Sequence, residues 1–288
     1  MIERASMQYT TSIKKMMSWQ KEMKALGLTI GFVPTMGFLH EGHLKLIEEA
    51  KKSSDCVAVS IFVNPTQFGP GEDFEAYPRR LDADIRLATE AGADIVFCPE
   101  VKEMYPVDGG IRIVPGKLAK KMCGASRPGH FDGVLKVVLK LVNIVQPDTV
   151  FFGMKDAQQL AIIETFFRDF NCPATIVRVP TVRDEDGLAK SSRNVNLSTD
   201  EREDAPIIFE TLKHAEVLVQ EGVTKEAVEK FVSDTLDNKT SGKVDYVSLL
   251  TYPDLEAPTE TSNDLIIACA VQFTKARLID NIIFKREG

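Results

Sequence analysis

The first two-thirds of the chain alternates continuous apolar runs with helical patterns. Five apolar runs rich in β-branched and aromatic residues stand out, at 28–35, 56–64, 93–99, 149–153 and 174–182. Near-continuous apolar character is typical of strands buried on both faces, as in a parallel sheet. The segments between these runs space their apolar residues for helices. This alternation predicts a doubly wound, Rossmann-like α/β domain with right-handed crossovers.

The pattern changes near residue 186. Two helical segments, 201–222 and 225–238, precede the strand-like runs 243–252 and 265–284. Helices followed by strands predict a small α+β domain with an antiparallel sheet. We therefore place a Rossmann-like domain over 1–185 and a smaller C-terminal α+β domain over 186–288.

Composition narrows the class of protein. Of the 288 residues, 44% are hydrophobic and 27% are charged, and the formal net charge is −7. This acidic balance argues against a general nucleic-acid binder, which usually carries a basic face. The five cysteines form no CxxC pair, which favours free thiols in a reducing compartment, the cytoplasm. No apolar run reaches the ~18 residues of a membrane helix, and 1–23 reads as a helix rather than a signal peptide.

The stretch GFVPTMGFLHEGH (31–43) carries the clearest chemical signal, because it lies where the first strand run passes into a helix. Open α/β sheets bind ligands at the carboxyl ends of their strands. Gly37 and Gly42 allow a close backbone approach, and free N–H groups at a helix start favour an anion. His40 and His43 are three residues apart, so they share a helix face and can donate to phosphate oxygens. We predict a phosphate site here.

Two other interpretations of the histidine pair stay open. A zinc site would need a third ligand, which only the distant His130 offers, because HEGH lacks the HExxH spacing and no carboxylate or cysteine cluster lies nearby. Alternatively, both are ordinary surface side chains at a helix start. Two of only four histidines placed among glycines after a strand favour the phosphate site.

Further polar clusters lie beside the other predicted elements. Their sequences are FVNPTQFGPGEDFEAYPR (62–79), RPGHFDGV (127–134), FFGMKDAQQL (151–160) and DGLAKSSRN (186–194). Asn64 and Gln67 supply neutral hydrogen-bonding groups, and Lys155 supplies a cation. Lys190 and Arg193 belong to a loop that could fold over a triphosphate and neutralise a leaving pyrophosphate. Each cluster alone fits a turn, a cap or solvated surface equally well, whereas together they favour a nucleotide site.

An acidic residue near the same strand ends is a candidate for binding Mg²⁺. Asp84 offers the hard oxygen ligands that this ion prefers. The stretch YPRRLDADIR (77–86) is equally typical of a helix N-terminus enriched in acids, which is our interpretation of Asp82. Both interpretations stay open for Asp84.

Taken in order, these motifs resemble one family. The HxGH-like signature after the first strand and the KMSKS-like AKSSR loop after the last parallel strand are similar to the nucleotidyltransferase superfamily that includes class I aminoacyl-tRNA synthetases. The finer set of five stretches, 31–43, 62–79, 127–134, 151–160 and 186–194, resembles the pantothenate synthetase (pantoate–β-alanine ligase) family. The likeness spans nearly the whole chain.

The resemblance implies an ATP-dependent ligase of pantothenate and coenzyme A biosynthesis. The carboxylate of (R)-pantoate would attack the α-phosphate of ATP to give pantoyl adenylate and pyrophosphate. β-Alanine would then attack the acyl carbon to give pantothenate and AMP. The resemblance also implies Mg²⁺, a homodimer, an N-terminal domain that binds ATP and pantoate, and a C-terminal lid domain, with no nucleic-acid or membrane partner.

The resemblance also assigns site residues. ATP contacts would come from Met36, Gly37, Phe38, Leu39, His40, Glu41, Gly42, His43, Gly153, Met154, Lys155, Asp156, Val182, Lys190, Ser191, Ser192 and Arg193. The catalytic group would be His43, His40, Lys155, Ser191, Ser192 and Arg193, with His43 as the catalytic histidine. Contacts with pantoate and β-alanine would come from Gln67, Gln159, Asn64 and His130.

Two positions depart from the family pattern, and three rival functions remain. Met154 stands where the family often has an acid, and Lys190 stands where it often has Met or Leu, so an extra cation is expected near ATP.

The rival functions are a transferase that moves AMP to a phosphate, a tRNA-charging relative, and a nucleotide-binding regulator without turnover. Gln67 and Gln159 favour a small hydroxy acid as the acceptor of AMP, and the absence of a basic module argues against tRNA.

Overall fold

The structure, a computed structural model, describes residues 8–107 and 109–287. In chain order its elements are β1 (Gln8–Thr10), α1 (Ile13–Ala25), β2 (Ile30–Thr35), α2 (Glu41–Ser53), β3 (Cys56–Ile61), α3 (Leu81–Glu90), β4 (Ile95–Phe97), α4 (Val101–Met104), α5 (Met122–Ser126), α6 (His130–Val145), β5 (Thr149–Gly153), α7 (Ala157–Asp169), β6 (Thr175–Val179), α8 (Thr199–Asp204), α9 (Ile207–Gln220), α10 (Lys225–Lys239), β7 (Lys243–Thr251), β8 (Asp264–Gln272) and β9 (Arg277–Lys285). Short 3₁₀ helices cover Pro65–Gln67, Lys117–Lys120, Met154–Asp156 and Ser192–Asn196.

The chain divides into two compact units that interleave along the sequence. Within the described residues, the first unit contains the chain up to Pro115, Pro128–Met154 and Ile163–Pro180. The second unit contains Gly116–Arg127, Lys155–Ile162 and the residues from Thr181 onwards. The sequence-based division into 1–185 and 186–288 stays a prediction.

The first unit is built on a parallel sheet with the strand order β1-β4-β3-β2-β5-β6. From β2 the chain moves outward through β3 and β4 on one side, and through β5 and β6 on the other. The boundary between β2 and β5 is therefore the switch point at which open α/β sheets bind ligands. The predicted Rossmann-like, doubly wound α/β sheet is confirmed.

The central strands are buried as their continuous apolar pattern predicts. Ile30 and Val33 of β2 are fully buried, as are Val57 and Val59 of β3. Helix α2 packs on the sheet through Ile47 and Ala50, which lie three residues apart on one face and are also fully buried. The exit of β2 and the start of α2 are thereby held at the switch point.

The N-terminal segment differs from its prediction as a helix. Residues 1–7 lie outside the described residues, Gln8–Thr10 form the edge strand β1, and α1 begins only at Ile13. Ser12 caps this helix by accepting a hydrogen bond from the Lys15 amide. A strand of three residues contains too little periodicity to be recognised in the sequence.

The second unit contains the predicted antiparallel sheet, in the order β7-β8-β9. Helices α9 and α10 supply fully buried Leu212 and Val232 to a core shared with Ile267 and Val271 of β8. The long apolar run 265–284 forms two strands, because the chain reverses where the Phe273 amide donates to the Ala276 carbonyl. Within the described part of the chain, no helix combines the length and the apolar character needed to cross a membrane.

Helix α6 approaches the 3₁₀ helix Pro65–Gln67 more closely than a side chain would allow. A Cβ atom built on Gly133 would lie 2.1 Å from the carbonyl oxygen of Thr66 and 2.5 Å from the amide nitrogen of Gln67. Real Cβ atoms do not reach backbone atoms at such distances. Glycine at this position therefore sets where the exit of β3 is placed.

We predict that Gly133→Ala destabilises the protein, because the added methyl group would push the Pro65–Gln67 backbone away from α6. Overpacking of this kind costs about 1–3 kcal/mol. Urea unfolding would measure the loss, with Gly110→Ala as the matched control, since a Cβ atom placed on Gly110 would meet nothing within 4 Å. Equal stability of the two variants would contradict the close packing of α6.

Candidate functional site

The loop that leaves β2 satisfies its own backbone amides. The Gly37 amide donates to Thr35 Oγ1 at 3.1 Å. The Phe38 amide donates to Asp84 Oδ2 at 2.8 Å, and the Leu39 amide donates to Asp84 Oδ1 at 2.8 Å. The expectation of free N–H groups for an anion is therefore wrong for these amides, because acceptors within the chain already occupy them.

The two histidines cap helix α2 with their own side chains. His40 is the N-cap residue, and its Nδ1 accepts from the Gly42 amide at 3.1 Å. The Nδ1 atom of His43 accepts from the His40 amide at 3.3 Å, which completes a reciprocal capping box. The ring centroids lie 4.1 Å apart, so both imidazoles sit together at the helix start.

This capping arrangement determines the tautomer of both imidazoles. An amide N–H can only donate, so each Nδ1 must be the unprotonated nitrogen of its ring. The proton of each neutral ring then resides on Nε2. Each of these two neighbouring rings thus carries an Nε2–H donor, a group that suits an oxyanion or phosphate ligand. The same use of Nδ1 argues against zinc coordination through that atom.

Asn64 lies at the exit of β3 and has hydrogen-bond partners for its whole side chain. Its Oδ1 accepts from the Thr66 amide, the Thr66 hydroxyl and the Tyr105 hydroxyl at 3.3, 2.9 and 2.9 Å. Its Nδ2 donates to Gln67 Oε1 and to the Gly133 carbonyl, both at 3.1 Å. Burial raises the pKa of Tyr105, which keeps its hydroxyl a donor at neutral pH. Asn64 therefore orients neighbouring groups.

The bond from Asn64 fixes the orientation of the Gln67 amide. Because Gln67 Oε1 accepts from Asn64, its Nε2 is the atom that points to Met36 Sδ, at 3.1 Å. His130 holds the backbone of the same residue, since its Nδ1 donates to the Gln67 carbonyl at 2.8 Å. The exits of β2 and β3 thus meet at a glutamine that offers an amide donor. Direct substrate contacts by Asn64 and His130 stay predictions.

Asp84 lies in the first turn of α3, in contact with the β2–α2 loop, and is 1% exposed. Both of its carboxylate oxygens accept hydrogen bonds from backbone amides, those of Phe38 and Leu39. Burial raises the pKa of the neighbouring Cys98 thiol to about 12, and the Asp84 charge adds to this effect. Across residues 8–107 and 109–287, no three His, Cys, Asp or Glu side chains group so that they could hold a metal ion. The Mg²⁺ assignment of Asp84 stays a prediction.

In the second unit, two motifs distant in sequence meet at one small cavity. Lys155, Ser191, Asn194 and Asp280 supply its polar lining. The Lys155 carbonyl accepts from Asn281 Nδ2 at 2.9 Å, which ties the start of the KDAQQL motif to strand β9. The fold therefore brings Lys155 and Ser191 together, as a shared role in binding one ligand requires.

The loop that carries Lys190–Arg193 is a short hairpin anchored by a buried ion pair. Arg183 and Ala189 form its bridge, and the Lys190 amide donates to the Val182 carbonyl at 2.9 Å. The Arg183 guanidinium makes a bidentate contact with Asp280, at 2.6 and 2.9 Å. Asp280 is 4% exposed, so the pair is well shielded from water. The hairpin is consequently fixed to β9.

The cations and hydroxyls of this loop have defined surroundings. Lys190 Nζ lies 2.6 Å from Asp184 Oδ1, so the positive charge that departs from the family pattern has an acidic partner. Ser191 caps the 3₁₀ helix Ser192–Asn196 by accepting from the Arg193 amide at 3.3 Å. Ser192 is buried and Arg193 is half-buried.

The adjacent glutamines of α7 have different environments. Gln158 is buried, and its Nε2 donates to the carbonyls of Leu118 and Lys121 at 2.8 and 2.7 Å. Gln159 is half-buried, as are Gly153, Met154 and Val182, whereas Asp156 is exposed. These positions support a packing role for Gln158 and leave Gln159 as the candidate for substrate.

Sequence reasoning missed the residues that position the others. Tyr105 contacts Asn64 from 41 positions away, and Asp280 contacts Arg183 from 97 positions away. Neither residue belongs to a motif, and no local pattern in the sequence distinguishes them. Their roles follow only from the pairing of elements in the fold.

Comparison with known proteins gives one consistent result. The family model described as pantoate-beta-alanine ligase matches residues 8–283. A pantothenate synthetase of Lysinibacillus sphaericus is 54% identical over 284 residues, covering 98% of this chain and 100% of the relative. The crystal structure of pantothenate synthetase from Thermus thermophilus has a TM-score of 0.89 at 39% identity, covering 96% of this chain and 99% of that one.

A second solved structure was determined with ligands. It is the pantoate-beta-alanine ligase from Francisella tularensis, described as complexed with beta-gamma ATP and beta-alanine. Its TM-score is 0.82 at 36% identity, and the match covers 96% of this chain and 98% of that one. The likeness therefore extends over the full length of both proteins.

We predict that Asn64→Asp destabilises the protein. The new carboxylate oxygen would replace Nδ2 and face two acceptors, Gln67 Oε1 and the Gly133 carbonyl, at about the present separation. A buried acceptor that loses its donor costs about 1–3 kcal/mol. Urea unfolding would report the loss, with the exposed Asn171→Asp as the control for added charge. A stability equal to that of the control would show that Nδ2 makes no such contacts.

Proposed function

The chain belongs to the pantoate–β-alanine ligase family, and we propose that it joins pantoate to β-alanine at the expense of ATP. The products are pantothenate, AMP and pyrophosphate. Family membership rests on matches along nearly the full chain. The proposed roles of single residues rest on the resemblance of the sequence motifs, and for some of them also on the geometry described above.

The histidine capping box is the observation that carries this proposal. It places two imidazole rings, each with its Nε2 as the protonated nitrogen, next to each other after β2, at the switch point of a parallel sheet. Adenylation of a carboxylate creates negative charge on phosphate oxygens without covalent help from the protein. Fixed donors aimed at developing charge stabilise such a transition state because they need no reorganisation. We assign His43 the catalytic role, with His40 beside it.

In the first step, a carboxylate oxygen of pantoate bonds to the α-phosphorus as the bond to the pyrophosphate oxygen breaks. Positioning and charge stabilisation dominate such transfers. Gln67 offers Nε2–H as a donor for an oxygen of pantoate, and Gln159 is the second proposed contact. The 36–43 loop binds the nucleotide in this proposal, together with 153–156.

In the second step, the β-alanine amine attacks the acyl carbon of pantoyl adenylate. The bond from that carbon to the AMP oxygen breaks, and the amine loses a proton as the amide forms. Gln67 is proposed to contact β-alanine as well. A fixed amide donor suits this role because it holds the acid while the second substrate binds.

Residues of the second unit are also proposed to contact the nucleotide. Lys155 and Ser191 line the same small cavity, so the fold places these two residues close to each other. Val182, Ser192 and Arg193 complete the proposed nucleotide contacts. Because Lys190 is paired with Asp184, its positive charge is partly compensated. We therefore expect Lys190 to add little to the attraction for ATP.

We propose that Mg²⁺ enters as the counter-ion of ATP. The described residues provide no group of metal ligands, and both Asp84 oxygens accept amides, so the donor set does not fit a resident ion held by protein side chains. Polyphosphate oxygens are suitable ligands for this cation, which usually keeps several waters.

We further propose that the protein acts in the cytoplasm as a homodimer. All five cysteines are free, and free thiols are typical of a reducing compartment. The dimer is what the family resemblance implies, and size-exclusion chromatography with light scattering would test it.

The function is tested by supplying ATP, Mg²⁺, pantoate and β-alanine and measuring AMP and pantothenate together. We expect the two products in equal amounts, and pyrophosphate release that requires pantoate. AMP formation that ignores both acids would overturn the proposal. Transfer of AMP to a phosphate acceptor would instead identify the rival transferase.

We predict that His43→Ala slows pantoyl adenylate formation by about 10² or more, the typical effect of removing one transition-state donor. Pantoate-dependent exchange of labelled pyrophosphate into ATP measures this step alone. His214→Ala, on the exposed side of α9, is the control and should exchange at the unmodified rate. Near-normal exchange by His43→Ala would remove the proposed catalytic role.

A further inference from the structure

We propose that Asp84 is a positioning residue whose buried carboxylate fixes the 37–39 loop and thereby the two imidazoles that follow it. The inference rests on the proposed function for its consequences in catalysis. It goes beyond that function because Asp84 would act through the loop, without touching substrate, nucleotide or metal.

The loop has a backbone conformation that needs external support. Gly37 and Phe38 both adopt left-handed conformations, with φ of 83° and 50°. Glycine tolerates this region, whereas a bulky residue such as phenylalanine rarely adopts it and is strained there. With this backbone, the Phe38 and Leu39 amides both face one carboxylate. A conformation of this kind persists only where the surroundings hold it.

The group that supports this loop is a carboxylate of the same chain. The Phe38 and Leu39 amides each donate to a different oxygen of Asp84, both at 2.8 Å. Asp84 is 1% exposed, and a buried carboxylate is stable only when hydrogen bonds replace the water it has lost. Its place in the first turn of α3 adds the favourable end of the helix dipole. Loop and carboxylate therefore stabilise each other.

The space around this contact allows little adjustment. A Cβ atom on Gly37 would lie 2.9 Å from Ile61 Cγ2 and 3.0 Å from Asp84 Oδ2. A side chain at position 37 would therefore press on both neighbours, so the contact between the loop and the carboxylate requires glycine there. His40 follows Leu39 directly and begins the capping box of α2. A displaced Leu39 amide would consequently move the N-cap from which both imidazoles are presented.

The test compares Asp84→Asn with Asp82→Asn. Asparagine has the same shape as aspartate, but its NH₂ group would face one of the two loop amides. One hydrogen bond is then lost, and two N–H donors point at each other. Asp82 lies in the same first turn of α3 and is exposed, so its variant removes the same charge at the same helix end without touching the loop. Circular dichroism and thermal unfolding would establish that both variants are folded.

The first readout is the imidazole ¹⁵N spectrum of the ligand-free protein. We expect two histidines with protonated Nε2 and unprotonated Nδ1 in the unmodified protein and in Asp82→Asn. We expect averaged tautomers for the same two rings in Asp84→Asn. Unchanged ring spectra in Asp84→Asn would overturn the proposal, and this result does not depend on which substrates the enzyme uses.

The second readout is pantoate-dependent pyrophosphate exchange at saturating ATP and Mg²⁺. A misplacement of catalytic groups by about 1 Å costs roughly 10²-fold, so we expect a loss of that order in kcat for Asp84→Asn. The Mg²⁺ concentration for half-maximal exchange should stay the same. A raised Mg²⁺ requirement with normal kcat at saturation would identify Asp84 as a metal ligand and overturn the positioning role.

The backbone strain provides a further test through Phe38→Gly, because glycine adopts the left-handed conformation without strain. The loop of this variant should need less support, so Asp84→Asn should cost a smaller factor in kcat in the Phe38→Gly background than alone. Equal factors would overturn the link to strain. If Asp84→Asn does not fold, amide hydrogen exchange of the unmodified protein provides the test. Fast exchange of the Phe38 and Leu39 amides would show that they do not donate to Asp84 and would overturn the proposal.

If the unmodified enzyme showed no pantoate-dependent exchange, the proposed function would fail. The ring spectra and amide exchange would still report on Asp84, so the two failures are distinguishable.

Discussion

A buried backbone amide must find an acceptor, and this requirement shapes the whole β2–α2 loop. Gly37 uses a threonine hydroxyl, whereas Phe38 and Leu39 use one carboxylate. At the helix start the acceptors are the imidazoles of His40 and His43. Since each ring gives its Nδ1 to the backbone, the same bonds that complete the helix also decide which nitrogen carries the proton. Local folding and chemical function therefore depend on one set of hydrogen bonds.

At the exit of β3, neutral side chains meet the same requirement that a buried polar group has a hydrogen-bond partner. The Asn64 side chain makes five hydrogen bonds, and each partner belongs to a backbone or side chain that shapes the site. Gly133 permits the close approach that brings one of these partners within reach. The orientation of Gln67, which decides whether it offers a donor or an acceptor, is consequently set by Asn64 and by the groups that hold Asn64 in place.

The sequence predicted the sheet and the site regions because their signals are local. Continuous apolar runs revealed β2 to β6, and glycines with two histidines marked the end of β2. The edge strand β1 was not predicted, because three residues are too few to show a periodic pattern of apolar side chains. The anchors Tyr105, Asp84 and Asp280 could not be assigned these contacts, because hydrogen bonds between distant segments leave no spacing pattern. Free loop amides were expected wrongly, for the same reason: their acceptor, Asp84, lies 45 or more positions further along the chain.

The interleaving of the two compact units limits how the protein can be dissected. The second unit includes Gly116–Arg127 and Lys155–Ile162 besides the C-terminal residues. Met122, Ala157 and Ala161 from these inserted segments share a buried cluster with Leu250 and Ile266. A C-terminal fragment cut near residue 181 would lack the first three, and the cluster around Leu250 and Ile266 would lose those apolar side chains. Chimeras between family members should therefore exchange all three segments as a set, because the unit inherits its core from separate stretches of the gene.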